Sequence, residues 1–197
     1  MSKKYYAVRV GNKVGVFKTW DDAKKYVEGV SNAQYKAFLT LSEAKAYLKV
    51  NDNKNTLAGP IAYVDGSYMD KYKKYGSGVY IRDAKDEKTL KTYSFSGTKL
   101  EFLTARNVAG ECLASLKAME WAIENKIKQI NIIYDYTGIA NWIKGWKTNT
   151  PIAIFYKKEY DKKYANKLNI NFIKVKAHSG NIGNEVADEL AKQAIVK

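Results

Sequence analysis

Apolar and polar positions along the chain follow two periods, and where one gives way to the other the elements can be read. Tyr6-Ala7-Val8-Arg9-Val10 alternates with a period of two and predicts a strand. Gly11-Asn12-Lys13 predicts a turn, and Val14-Gly15-Val16-Phe17 a second strand. Thr19 with Asp22 three residues on has the form of a capping box, predicting a helix through Val27 that Gly29 ends. Tyr35-Lys36-Ala37-Phe38 reads as a third short strand, and Ser42 to Leu48 as a closing helix. Residues 1–50 thus form a small ββαβα unit, marginal alone and better suited to presenting a surface than to housing a deep pocket. Residues 51–59, polar and turn-rich and ending in Ala58-Gly59-Pro60, read as a short linker.

From residue 60 to 197 the pattern changes. Strands are predicted at 61–68, 77–83 and 89–96, a helix at about 107–125, and a strand at 128–134. Helices at 137–147 and 152–168, a strand at 170–176 and a helix at 182–195 complete the domain. Three consecutive strands followed by β/α alternation predict an α/β fold, a mixed sheet with helices on its faces. Cys112, Leu116, Met119 and Ile123 form one core stripe at helical spacing, and Ala187, Leu190, Ala191 and Ala194 another.

Composition narrows the function. Of 197 residues 46% are hydrophobic, enough for a core, and no apolar run approaches the ~20 residues that cross a bilayer. The start, Met1-Ser2-Lys3-Lys4, has no signal-peptide core, and the single cysteine, Cys112, excludes an internal disulfide. A reducing cytoplasm is the expected location, with no membrane contact. The net charge of +14 favours a polyanionic partner, and 16 Tyr and four Trp add stacking surfaces suited to bases. No helix opposes a Trp/Phe/Leu face to a purely basic one, which disfavours a membrane surface.

Against that basic background four acids stand at the edges of apolar segments: Asp65, Glu111, Asp135 and Asp188. Asp65-Gly66 alone is most often a hairpin turn, and a lone acid near a helix start merely suits the macrodipole. Gathered together, four carboxylates repel unless cations neutralise them. Oxygen-only donors suit Mg²⁺ or Mn²⁺, two of which ~4 Å apart activate water and stabilise the leaving oxygen of a phosphodiester. One His and one Cys are too few for a usual zinc site. The sole histidine, His178, lies in Ala177-His178-Ser179-Gly180-Asn181, either as a plain loop residue or as a proton carrier beside the metals.

Tyr63-Val64-Asp65-Gly66-Ser67, Arg106-Asn107-Val108-Ala109-Gly110-Glu111, Tyr134-Asp135 and the run from His178 to Asp188 resemble the ordered motifs of type 1 ribonuclease H. The resemblance covers about 60–197 and implies the ribonuclease-H-like mixed five-stranded sheet with flanking helices. It implies Asp65, Glu111, Asp135 and Asp188 as catalytic metal ligands for two ions. Asp65 would bridge both, Asp188 would serve the water-activating ion, and Glu111 and Asp135 the leaving-group side. Gly66, Ser67, Arg106 and Asn107 would touch substrate, although Arg106 stands where many relatives have a Thr that holds a DNA phosphate. Trp142 and Trp146, at i and i+4 of the 137–147 helix, share a helix face; core packing is the alternative to lining a DNA-strand channel. The chain between Trp146 and the next helix is short, so the basic protrusion of some members is absent or reduced.

Residues 5–48 look like the small hybrid-binding domain found ahead of many such enzymes. By position Tyr6, Trp20 and Tyr35 would contact a DNA strand and Lys36 an RNA strand, with core filling as the alternative for each ring. Gln34 and Ala37 replace basic residues of better-known versions, implying weaker capture. The resemblance implies a monomeric endonuclease that cuts the RNA strand of RNA–DNA hybrids. The rivals are a non-catalytic hybrid- or duplex-binding protein and a strand-transfer or junction nuclease of the same fold class.

Overall fold

The computed structural model describes residues 4–10, 13–30, 33–52, 57–175 and 181–197. The chain divides into two compact units, Met1–Thr56 and Leu57–Lys197.

In the first unit β1 (Tyr5–Val10) is the centre of a three-stranded antiparallel sheet, between β2 (Lys13–Phe17) and β3 (Gln34–Phe38). Helix α1 (Trp20–Val27) starts as its sequence predicts: the Asp22 amide donates to Thr19 Oγ1 at 3.2 Å while the Thr19 hydroxyl donates to Asp22 Oδ2 at 2.6 Å. Gly29, at φ +73, takes the left-handed position beyond its end. Helix α2 (Leu41–Asp52) begins one residue earlier than expected, on a second capping box of Thr40 and Glu43. It also runs through Asn51 and Asp52, which the polar pattern assigns to a linker. Among the described residues one buried cluster joins Ala7, Ala44 and Leu48, with Tyr5, Val16, Phe38 and Tyr47 against it, and Val8 and Ala23 are buried as well.

The second unit carries a five-stranded sheet of order β6-β5-β4-β7-β8. Strands β4 (Ile61–Met69), β5 (Lys74–Arg82) and β6 (Thr89–Gly97) are antiparallel; β7 (Gln129–Tyr134) and β8 (Asn169–Lys174) run parallel to β4. Between them come α3 (Leu100–Leu103), α4 (Asn107–Glu124), α5 (Gly138–Ile143) and α6 (Pro151–Lys163), and the chain closes with α7 (Ile182–Val196). Alternation sorts β4 onto two faces. Ala62 and Val64 join the large core with Cys112, Leu116 and Met119 of α4, while Ile61 and Tyr63 pack with Ile133 and Ala187 of α7. Among the described residues no helix is long and apolar enough to cross a membrane.

Two local expectations fail. Asp65-Gly66 is not a hairpin turn: β4 runs through it to Met69, one residue past the expected end at 68, and the reversal falls at Asp70–Lys73, where Lys73 adopts φ +45. Gly66 is a gap: a Cβ there would lie 2.0 Å from the Asn107 carbonyl oxygen and 2.4 Å from the Glu111 amide. Gly110 matches it from the helix side, where a Cβ would stand 2.0 Å from the Gly76 carbonyl oxygen. Glycine thus lets α4 lie backbone-close on the sheet. The second failure is α5, which ends at Ile143 instead of reaching residue 147, with Gly145 at φ +98 beyond it. Trp142 and Trp146 therefore do not share a helix face.

Candidate active site

Parallel strands β4 and β7 pair as far as Tyr63 and Ile133. Just past that point β4 carries Asp65 and β7 gives way to Asp135. The carboxyl ends of parallel strands are where open α/β sheets place their ligands. Helix α4 adds Glu111 from its second turn (the first turn holds no acid), and α7 adds Asp188 from its second turn.

Glu111 is 2% exposed, and its Oε1 accepts the backbone amides of Asp135 at 3.2 Å and Tyr136 at 3.3 Å. One buried carboxylate thus ties the helix to the end of β7. Burial, followed by the charge of Asp135, pushes Glu111 up to about 8; Asp65 adds to the rise and the two amides oppose it. Asp65 is half-buried, and its Oδ1 accepts its neighbour's amide, Gly66 N, at 2.7 Å. Burial and then Asp135 push it up to about 7, against the Gly66 amide; Asp188 contributes and Lys192 opposes. Asp65 thus stands in the field of Asp135 and Asp188, and Glu111 in that of Asp135 and Asp65.

They do not converge further. Among the described residues no three His, Cys, Asp or Glu side chains are close enough to hold an ion as they stand. Asp188 is drawn aside by Lys192, whose ammonium lies 2.6 Å from Oδ2, and Glu111 is turned onto the two amides. The donor set nevertheless fits a hard divalent cation: it is all oxygen and partly dehydrated, and burial with neighbouring carboxylates raises Asp65 and Glu111.

Around the acids, Ser67 lies on β4 and Asn107 opens α4. Arg106 precedes that helix at φ +51, with its exposed guanidinium 3.8 Å from Asp70 and 5.8 Å from the Tyr68 ring centre. His178 lies outside the described residues. Trp142 is core, 6% exposed, with its ring 5.5 Å from that of Tyr136; Trp146 is 58% exposed on the segment after α5. In the first unit Tyr6, Trp20 and Tyr35 form an arc with ring centres 5.6 and 5.1 Å apart. Among the described residues none of the three is buried: Tyr6 and Trp20 are half-buried and Tyr35 is exposed. Lys36 is exposed, its ammonium 5.7 Å from the Phe38 ring centre.

Sequence reasoning missed Lys192, although its i+4 spacing from Asp188 is legible as a helical ion pair. It also missed Tyr136, whose role is played by a backbone amide that no residue pattern advertises.

The strand order, the mixed pairing and the acids at the carboxyl ends of the two central parallel strands define a ribonuclease-H-like fold with an acidic site. Residues 58–196 match the RNase H family model, and residues 4–48 match that of the Ribonuclease H1 N-terminal domain. The chain belongs to the ribonuclease H family, in the two-part form of ribonuclease H1, and membership assigns it ribonuclease H activity. It is 26% identical to Ribonuclease H1 of Homo sapiens, over 96% of this chain and 88% of that one. It is 37% identical to Ribonuclease H of Francisella tularensis subsp. novicida over 44% of this chain and 63% of that one. Among solved structures, RNase H1 from Halobacterium salinarum aligns with TM-score 0.57 at 20% identity, covering 70% of this chain and 97% of that one. LC11-RNase H1 in complex with an RNA/DNA hybrid aligns with TM-score 0.58 at 22% identity, over 70% and 97%.

Proposed function

We propose that the protein hydrolyses the RNA strand of RNA–DNA hybrids at the site of Asp65, Glu111, Asp135 and Asp188. The observation that carries this reading is the pair of carboxyl groups, Asp65 and Glu111, pushed up to about 7 and 8 by burial and by each other's neighbourhood. Such a cluster is a standing electrostatic cost that a bound cation relieves. Two divalent ions, Mg²⁺ or Mn²⁺, would supply a water ionisable at neutral pH and positive charge at the scissile phosphate. Asp65 presents its oxygens from within β4 and Asp135 from the residue after β7, and Glu111 is braced by two amides, so little rearrangement of the backbone is needed.

Asn107, whose carbonyl lies against Gly66, would contact the RNA strand near the scissile phosphate, Arg106 would meet a DNA phosphate, and Gly66 and Ser67 would touch substrate beside them. His178 would move a proton or help product leave. Residues 1–50 would capture hybrid through the Tyr6, Trp20 and Tyr35 rings and Lys36, joined by the 51–59 segment to the catalytic 60–197. Stacking and phosphate contacts hold one strand and 2′-hydroxyl contacts select the other, so little base sequence is read. Two tethered weak contacts raise local concentration, giving several cuts per encounter on long hybrids. A monomer working in a reducing cytoplasm is consistent with the buried, unpaired Cys112.

The test is cleavage of end-labelled hybrid, RNA duplex and DNA duplex, each with Mg²⁺ and with chelator. Metal-dependent loss of the RNA strand in the hybrid alone supports the proposal. Preference for duplex DNA would point instead to a strand-transfer or junction nuclease.

A further inference from the structure

Strand β8 breaks its own pattern at its carboxyl end. Ile170 and Phe172 pack with the large core, and the next position on that face of the strand is Lys174. Lys174 is in register with Tyr134, the last residue of β7, and the Val175 amide donates to the Tyr134 carbonyl oxygen at 2.9 Å. The lysine thus leaves the sheet level with the residue before Asp135. Its side chain is exposed, and its ammonium donates to Thr137 Oγ1 at 2.5 Å.

Thr137 is the N-cap of α5, a position where threonine ordinarily accepts an amide of the first helical turn with its hydroxyl. It makes no such bond here. Its backbone is already helical, at φ −53 and ψ −29, and the hydroxyl accepts the lysine ammonium instead. A charge-assisted bond is roughly twice as strong as a neutral one. This one joins residues 37 apart in sequence, so it fastens β8 to the turn and does not fasten the helix to itself.

The turn in question, residues 135–137, carries Asp135, and it is held from three elements. Glu111 of α4 accepts the amides of Asp135 and Tyr136 at 3.2 and 3.3 Å. The Tyr136 ring lies 5.5 Å from that of Trp142 on α5. Lys174 supplies the third hold, from β8. Glu111 is itself a member of the acidic site, so its grip on the two amides is shared with whatever binds there. The Lys174 bond has no second duty.

We propose that Lys174 and Thr137 are positioning residues for the cutting reaction: their bond latches the 135–137 turn to β8 and fixes where Asp135 presents its carboxylate. The assignment rests on the hybrid-cleaving reading and adds a pair of side chains that reading does not use. Both act through the turn, without touching substrate. Removing a group that orients a metal ligand from behind changes affinity or rate by about 10- to 100-fold.

The experiment compares full-length wild type with Thr137→Val, Thr137→Ser, Lys174→Met and the double variant Thr137→Val/Lys174→Met. Two quantities are read: kcat and KM on a labelled hybrid in saturating Mg²⁺, and Mn²⁺ affinity by calorimetry with no nucleic acid present. Thr137→Val keeps the shape of the side chain and every charge. It should lower kcat at least about 10-fold, weaken Mn²⁺ about 10-fold and leave KM near its wild-type value. Thr137→Ser keeps the hydroxyl and should restore most of both quantities. The double variant should lose no more kcat than the worse single one, because both changes delete the same bond. Wild-type kcat and Mn²⁺ affinity in Thr137→Val overturn the latch. So does an equal loss in Thr137→Ser, which would assign the effect to the lost methyl. A Lys174→Met protein with raised KM beside a silent Thr137→Val overturns it too, by giving the ammonium to the substrate. If the wild type does not cut hybrid while Thr137→Val still weakens Mn²⁺ and Thr137→Ser does not, the hybrid reading fails and the latch stands.

Discussion

Replacing Glu111 with glutamine separates the electrostatics of the site from its packing. The side chain is 2% exposed and its Oε1 accepts two amides, and an amide oxygen can accept both. What changes is charge. A carboxyl at about 8 in the folded protein and 4.5 in the unfolded chain binds more protons when folded. Stability is therefore full below pH 4.5 and falls as pH rises through 8. The whole loss amounts to about 4.8 kcal/mol at 1.36 kcal/mol per pH unit. Because Asp65 and Asp135 share the repulsion, removing one charge should recover about 2–3 kcal/mol of it. In metal-free buffer at pH 8.5, Glu111→Gln should raise the melting temperature of the second unit by about 6–10 °C, and at pH 4.5 by almost nothing. Added Mg²⁺ should stabilise the wild type more than the variant, and the variant should lose cleavage. Differential scanning calorimetry at the two pH values, with chelator and with Mg²⁺, reads all of this. A variant no more stable than wild type at pH 8.5 would refute the claim that Glu111 is held as a frustrated charge.

Other perturbations probe the frame and the periphery. Gly66→Ala forces a methyl to within 2.0 Å of the Asn107 carbonyl and should cost about 3 kcal/mol, visible as a lowered urea midpoint; a wild-type midpoint would mean α4 is not backbone-packed there. Trp20→Ala breaks the aromatic arc and should weaken binding of long hybrids while sparing cleavage of very short ones. Equal losses on both would contradict a separate capture module. His178→Ala should slow turnover and leave measurable activity, and complete inactivity in a steady-state assay would give the imidazole a more central role.

Much of this was legible because periodicity reports burial. The even positions of β4 face α4 and the odd ones α7, and the stripe of Cys112, Leu116 and Met119 is the core side of its helix. The acids were visible as charges interrupting apolar segments at their ends. What periodicity could not report is distance between backbones. Gly66 reads locally as a turn residue, yet its function is to let Asn107 and Glu111 approach, a contact from about forty residues away. The Thr40–Glu43 capping box starts α2 one residue before Ser42, and the backbone beyond Ile143 moved Trp146 out of the helix; both signals, Thr40 to Glu43 and Gly145, were in the chain. The ion pair of Lys192 with Asp188 was legible too, as an i, i+4 contact along α7.

The central claim is that carboxylates from four separate elements act as one charge-neutralising site for cutting RNA in a hybrid. The most direct measurement is the Mg²⁺-dependent cleavage rate of a labelled RNA–DNA hybrid by wild type and by Asp135→Asn. The account predicts rapid cutting by the wild type and a loss of activity by orders of magnitude in the variant, with hybrid binding retained. Equal rates for the two proteins would contradict it.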